Sequence, residues 1–100
     1  DVKQKRLNMN EHILFVIDHL ANPDKYTQEE LDANRKSAYD AADAAVCDAA
    51  AYATRNAAYW AAYYAASAAS AAAYSASHWV AEYFKITGED KQTYIDKLGE

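Results

Sequence analysis

The sequence predicts an all-α fold, a small Ala-rich helical bundle, on three observations. Half of residues 38–81 are Ala, which has the best intrinsic helix propensity and loses no side-chain entropy on burial. No Gly or Pro falls between Asp24 and Thr87, so that span lacks the strongest local breakers of a helix. Ile13, Leu14, Val16, Ile17 and Leu20 recur at spacings of three and four, the period of a helix that buries one face. Helices are expected at about 9–21, 28–53, 57–86 and 89–98. Together they form one domain over 1–100 in which residues 1–7 are loose.

The first helix is expected to start at an Asn8 cap, with Glu11 three residues on completing a reciprocal pairing. It stops at Asn22-Pro23, because the residue before Pro is driven out of helical geometry. The restart is the clearest local signal in the chain. Thr27 and Glu30 form a capping box, Tyr26 and Leu31 are spaced to close a hydrophobic staple, and Glu29 and Glu30 sit where the helix dipole favours negative charge.

Where that helix ends is less sharply written. Unbroken to Ile86 it is a rod of ~88 Å at ~1.5 Å per residue. A break at Ala53-Thr54-Arg55-Asn56 instead gives an antiparallel Ala-faced hairpin, and we expect the break because a compact domain covers more of the charge-free half. Ala surfaces let helices approach more closely than the usual ~8–10 Å, and the greasy first helix is expected to pack on them. Thr87-Gly88 ends the Ala segment, with Gly in the left-handed stop position. A last helix then starts through Asp90 and docks by Tyr94, Ile95 and Leu98.

Net charge is −5 and the isoelectric point about 5.1, which argues against nucleic acid, since phosphate binding needs clustered Lys and Arg. Lys3, Lys5 and Arg6 form the only basic cluster and read as a solvated tail. The lone Cys47 has no internal disulfide partner, so a reducing, cytoplasmic compartment is expected. The first residues lack the pattern of a secretory leader, and a start at Asp1 is expected of a processed or trimmed chain. From Ala57 to Ala81 there is no Asp, Glu, Lys or Arg, and the segment is long enough to span a bilayer. Its Ser residues, its His78 and its lack of Leu, Ile and Phe argue against insertion.

Asp40, Asp43 and Cys47 share one face of a helix, the spacing of an acid/base pair or an activated thiol. The raised or lowered pKa that either would need is not visible in the sequence. Asp32–Lys36 and Lys36–Asp40 are spaced as ordinary surface ion pairs, and Cys47 reads as a small buried residue. His12 and His19, and His78 and Glu82, have helical spacings that suit metal ligands, but no stronger signature accompanies them. Only Gly88 and Gly99 exist, too few for a phosphate loop, and no nucleophile–base arrangement is identifiable. The expectation is no enzyme, no metal and no cofactor.

Tyr52, Tyr63 and Tyr74 recur every eleven residues, a period of ~3.67 per turn that holds them on one line of a helix. The plain interpretation is a packing stripe with hydroxyls reaching water. The functional one is a surface for a partner, because Tyr and Trp dominate binding hot spots. Tyr59, Trp60, Tyr64, His78 and Trp79 reinforce it. The candidate partner-binding residues are therefore Tyr52, Tyr59, Trp60, Tyr63, Tyr64 and Tyr74, with Asp40 and Asp43.

The passage from Asn22-Pro23-Asp24-Lys25-Tyr26-Thr27-Gln28-Glu29-Glu30-Leu31 into Ala33–Ala42, and the run Ala57-Ala58-Tyr59-Trp60-Ala61-Ala62-Tyr63-Tyr64-Ala65-Ala66, resemble the Ala/Tyr-rich helical proteins of bacteria and their phages. Some of these are described as immunity proteins. The likeness covers roughly residues 12–84. It implies a small protein that acts by binding another protein, with no catalytic residues to carry over.

The leading expectation is thus a non-enzymatic immunity or inhibitor factor of bacterial or phage origin. Its partner is a toxin or a host defence effector, CRISPR-type systems included, met through an acidic, Tyr-rich surface that steers it to a basic protein. The alternative is a self-associating structural or scaffold protein. Imitation of DNA charge needs a longer carboxylate array than Asp32, Asp40, Asp43 and Asp48 provide. Ice binding needs a flat small-residue face where this repeat carries Tyr.

Overall fold

The computed structural model describes residues 9–100, and within them the fold is five helices and no strand. The expected loose stretch 1–7, the Lys3/Lys5/Arg6 cluster and the Asn8 cap lie outside the described residues. Helix α1 runs Glu11–Ala21, and its cap is Asn10, whose side-chain oxygen accepts from the N–H groups of His12 and Ile13 at 2.9 and 3.1 Å. Glu11 therefore opens the helix and does not occupy its third position. Helix α2, Gln28–Ala44, starts as expected: Thr27 Oγ1 accepts from Glu30 N at 3.1 Å, and Thr27 N donates to Glu30 Oε1 at 2.9 Å. Tyr26 stacks on Phe15 of α1, ring centroids 4.1 Å apart.

The long Ala segment is broken twice, and at neither place expected. Helix α2 stops at Ala44, and helix α3, Ala49–Ala65, starts after a turn at 45–48 in which Asp48 caps Ala51 N at 3.1 Å. The physical reason lies in the stretch Asp43–Asp48. An acid in the last turn of α2 meets the negative end of the dipole, Val46 and Cys47 are poor helix formers, and Asp48 is a strong N-cap. Thr54-Arg55-Asn56 stays helical, with the Thr54 hydroxyl bonded back to the Ala50 carbonyl at 3.2 Å.

The second break, at 66–71, separates α3 from helix α4, Ala72–Thr87. Ser67 takes a local bond there from Ala69 N, the competition for backbone groups that makes Ser a turn former. Gln28 at the start of α2 donates to the freed Ala66 carbonyl at 2.7 Å. Both the unbroken rod and the helix pair 28–53 and 57–86 are therefore corrected to three shorter helices. Gly88 stops α4 at φ 72°, and helix α5, Lys91–Leu98, starts on the Asp90 cap.

Helix α3 is the central element, packed against α1, α2 and α4. Its Ala57, Ala58, Ala61, Ala62 and Ala65 are all buried and, at ~100° per residue, occupy an arc of about 140°. Ile13, Val16 and Ile17 of α1 and Ala76 and Val80 of α4 close on that arc. As expected, the greasiest helix packs on the Ala surface.

Two buried polar groups pin the remaining elements to this core. Asp18 is only 5% exposed, yet it accepts from Lys25 Nζ at 2.6 Å, Asn22 Nδ2 at 3.0 Å and the Tyr26 hydroxyl, which fastens the 22–26 turn to α1. Burial alone raises its pKa, and the bonds from Lys25, Tyr26 and Asn22 outweigh that and hold it below the usual carboxylate value. At the other end, Tyr94 of α5 donates to Glu89 Oε1 at 2.5 Å and accepts from Asn10 N at 2.9 Å, while Tyr83 of α4 donates to the same carboxylate at 3.0 Å. Burial and the neighbouring Glu89 push the Tyr94 phenol up to about 12. Helix α5 docks through Tyr94 alone, since Ile95 and Leu98 stay exposed.

Candidate binding surface

Opposite its alanines, α3 carries Tyr52, Asn56, Tyr59, Trp60, Tyr63 and Tyr64. By the same ~100° step these fall within a second arc of about 140° centred on the far side of the helix. The rings do not end at α3. Tyr39 of α2 meets Tyr59 edge-on at 5.4 Å, and Trp79 of α4 stacks on Trp60 at 6.2 Å. Between them Tyr59–Trp60, Trp60–Tyr63 and Tyr63–Tyr64 lie at 5.2, 5.4 and 5.2 Å. These are the separations at which aromatic pairs attract. The result is one continuous aromatic band across three helices, extended by His78 beside Trp79 at 5.6 Å.

Tyr63 is 41% and Tyr39 52% exposed, while Trp60 is half-buried and Tyr59, Tyr64 and Trp79 are half-buried against the core. At one end the band opens into a cleft of about 320 Å³ between the C-terminal half of α2 and the N-terminal half of α3. Tyr39, Tyr52, Tyr59 and Trp60 wall it, and Ala42, Asp43, Val46 and Asn56 complete the lining. Val46, 62% exposed, forms its lip.

Seven of the eight residues expected from sequence lie on α2 and α3, and six of these belong to the band or the cleft. Asp43 lines the cleft, and Asp40 is exposed one turn earlier on α2. Tyr74 does not belong: the 66–71 break cancels its eleven-residue register with Tyr52 and Tyr63, and it stands alone on α4 at 80% exposure. Tyr39, Val46 and Asn56 were not among the expected residues. The signal for the first two is the spacing of Tyr39, Ala42, Asp43 and Val46, a single α2 face. The expected Asp40/Asp43/Cys47 face is lost, because Cys47 lies in the 45–48 turn and is exposed, not buried.

The fold also brings together one pair that no sequence spacing announces: His12 Nε2 lies 3.0 Å from Ser37 Oγ across α1 and α2. Burial lowers the His12 pKa, against the raising pull of Glu11, so the ring is neutral near pH 7 and able to accept a proton. Acyl transfer needs more than that pair. Ser37 sits inside α2, where backbone N–H groups are spent on the helix and none is free to stabilise an oxyanion, and no described residue orients the other ring nitrogen. The contact serves as a bond between helices. Among the described residues no three His, Cys, Asp or Glu side chains gather as metal ligands, and no helix is long and apolar enough to cross a membrane.

No protein-family model, no curated protein and no solved structure matches the chain.

Proposed function

We propose that the protein is a binding module that recognises another protein through the aromatic band of α2, α3 and α4. The observation that carries this reading is the band's continuity from Tyr39 to Trp79, with Tyr39, Tyr52 and Tyr63 open to solvent. Rings pre-packed on one another lose little side-chain freedom when a partner covers them, and Tyr and Trp provide large contact area with a polar tip. The net charge of −5 and the carboxylates Asp40 and Asp43 at the band's edge favour a basic partner. With the resemblance to Ala/Tyr-rich bacterial and phage proteins, these features fit an immunity or inhibitor factor acting inside the cell on a toxin or defence effector.

The test is selection of random displayed peptides on the folded full chain, followed by binding to the Tyr63→Ala and Tyr39→Ala variants. Binders that lose affinity on both, and not on Tyr74→Ala, uphold the band as the recognition face. Binders indifferent to both replacements, or no binders at all, remove it. Self-association is the second reading, favoured by Ile86, Ile95 and Leu98, which α4 and α5 leave exposed. A sedimentation coefficient that stays at the monomer value at all concentrations rules it out.

A further inference from the structure

We propose that the cleft between α2 and α3 is built to receive the guanidinium of an arginine on the partner protein. This deepens the reading above and rests on it. Tyr39, Tyr52, Tyr59 and Trp60 present four aromatic rings around one small opening, over a floor formed by the buried Ala42. The one formal charge in the lining is the Asp43 carboxylate, and no described residue pairs with it. The nearest cations in sequence, Lys36 and Arg35, do not line the cleft, and Arg55, turned to the Ala41 carbonyl at 3.2 Å, does not line it either.

Three classes of occupant meet that lining differently. An anion is repelled by Asp43. An apolar side chain fits the rings but shields the carboxylate from water with nothing to replace it, which is unfavourable. A cation satisfies both, attracted by the ring faces and by the carboxylate together. Between the two cationic side chains, the planar, weakly hydrated guanidinium stacks on rings and offers a fork of donors to one carboxylate, whereas an ammonium is a compact, strongly hydrated point charge. A cleft of about 320 Å³ stands at the small end of ligand pockets, with room for a guanidinium and its stem.

The decisive probe needs no natural partner. N-acetyl-L-arginine amide is titrated into the full chain and followed on the indole N–H of Trp60 and the side-chain amide of Asn56 by NMR. The expected result is a saturable shift at both, weakened about tenfold by Asp43→Asn, since an ionic hydrogen bond and ring attraction are then uncoupled. The same shift is unchanged by Tyr74→Ala, weaker with the lysine analogue and absent with N-acetyl-L-leucine amide. Asp43 is exposed, and its amide is nearly the same shape, so the variant keeps the fold. No saturable shift at Trp60, an equal shift in Asp43→Asn, or an equal response to the leucine amide overturns the proposal. The peptide selection separates the two levels: Tyr63- and Tyr39-dependent binders that need no arginine sink this inference and leave the binding face standing.

Discussion

The two sides of α3 invert the usual distribution of bulk. Its inner arc is all methyl groups, Ala57 through Ala65, buried against α1 and α4, while its outer arc carries five of the chain's largest side chains, part of them in water. A globular domain ordinarily spends its large apolar residues on the interior. Here the interior side of α3 is all small residues, closed by Ile13, Val16 and Ile17 of α1 and by Ala76 and Val80 of α4, and a close-packed interior leaves little room to adjust. The rings hold area in reserve for something outside.

That difference is broken most directly from the inside. Ala61 is fully buried within the arc, and three helices flank α3. Ala61→Leu forces the added carbons into filled space and is expected to cost about 3 kcal/mol, the upper part of the range for overpacking. Urea unfolding reads it as a lower midpoint at unchanged slope. A loss below ~1 kcal/mol means the alanines are loosely packed and the contrast between the two faces is superficial.

Tyr83 and Tyr94 are the exception that sharpens the contrast, rings that are fully interior. Each is 1% exposed, and each is tolerated there because its hydroxyl reaches the Glu89 carboxylate. Tyr94→Phe removes a bond to a charged acceptor and the partner of Asn10 N, for an expected loss of about 2 kcal/mol. The bond also gives the fold an alkaline limit. Because folding raises the Tyr94 phenol from 10.0 to about 12, its contribution is whole below pH 10 and is lost as pH rises from there through about 12. Unfolding midpoints measured across that window should fall more steeply for the natural chain than for Tyr94→Phe.

What was legible in the sequence follows the same division. Periodicity and caps that act within a few residues were readable: the α1 stripe, the Thr27–Glu30 box, the Gly88 stop, the Asp90 cap. The ends of α2 and α3 were not, because in an Ala background every position is a good helix former and the break is decided by small differences. Asp48 supplied the cap that wins, whereas of Thr54 and Asn56, equally plausible by residue type, Thr54 bonds back to the Ala50 carbonyl and Asn56 lines the cleft. Most of the aromatic band was legible because Tyr52, Tyr59, Trp60, Tyr63 and Tyr64 share a single helix. Tyr74 was assigned to it through a register that the 66–71 turn erases, and Tyr39 became its neighbour only through tertiary packing. Asp18 was invisible as a structural group, since two of its partners, Lys25 and Tyr26, sit beyond a proline turn.

Asp18 offers a smaller perturbation at the opposite end of the pH scale. Its folded pKa lies below the ordinary 3.8, so its stabilising contribution is present above that value and is lost as pH falls through and below it. Asp18→Asn keeps the shape but weakens the bonds to Lys25 and Tyr26, with an expected cost of about 1 kcal/mol near neutral pH. The variant should lose correspondingly less between pH 4 and pH 2 than the natural chain. An equal acid response in both places the sensitivity elsewhere.

The smallest effect on stability is expected where the effect on recognition is largest. Tyr63 touches Tyr59, Trp60 and Tyr64, but none of these contacts closes a cavity, and 41% of the residue already faces water. Tyr63→Ala should therefore shift the unfolding free energy by no more than ~0.5 kcal/mol, the ordinary range for a surface replacement. The same change removes ring area from the middle of the band, where truncation of a hot-spot tyrosine costs ~2 kcal/mol or more in binding. If Tyr63→Ala instead destabilises the fold as much as Ala61→Leu, the outer rings are part of what holds the helices together, and the two faces of α3 differ in size of residue but not in role.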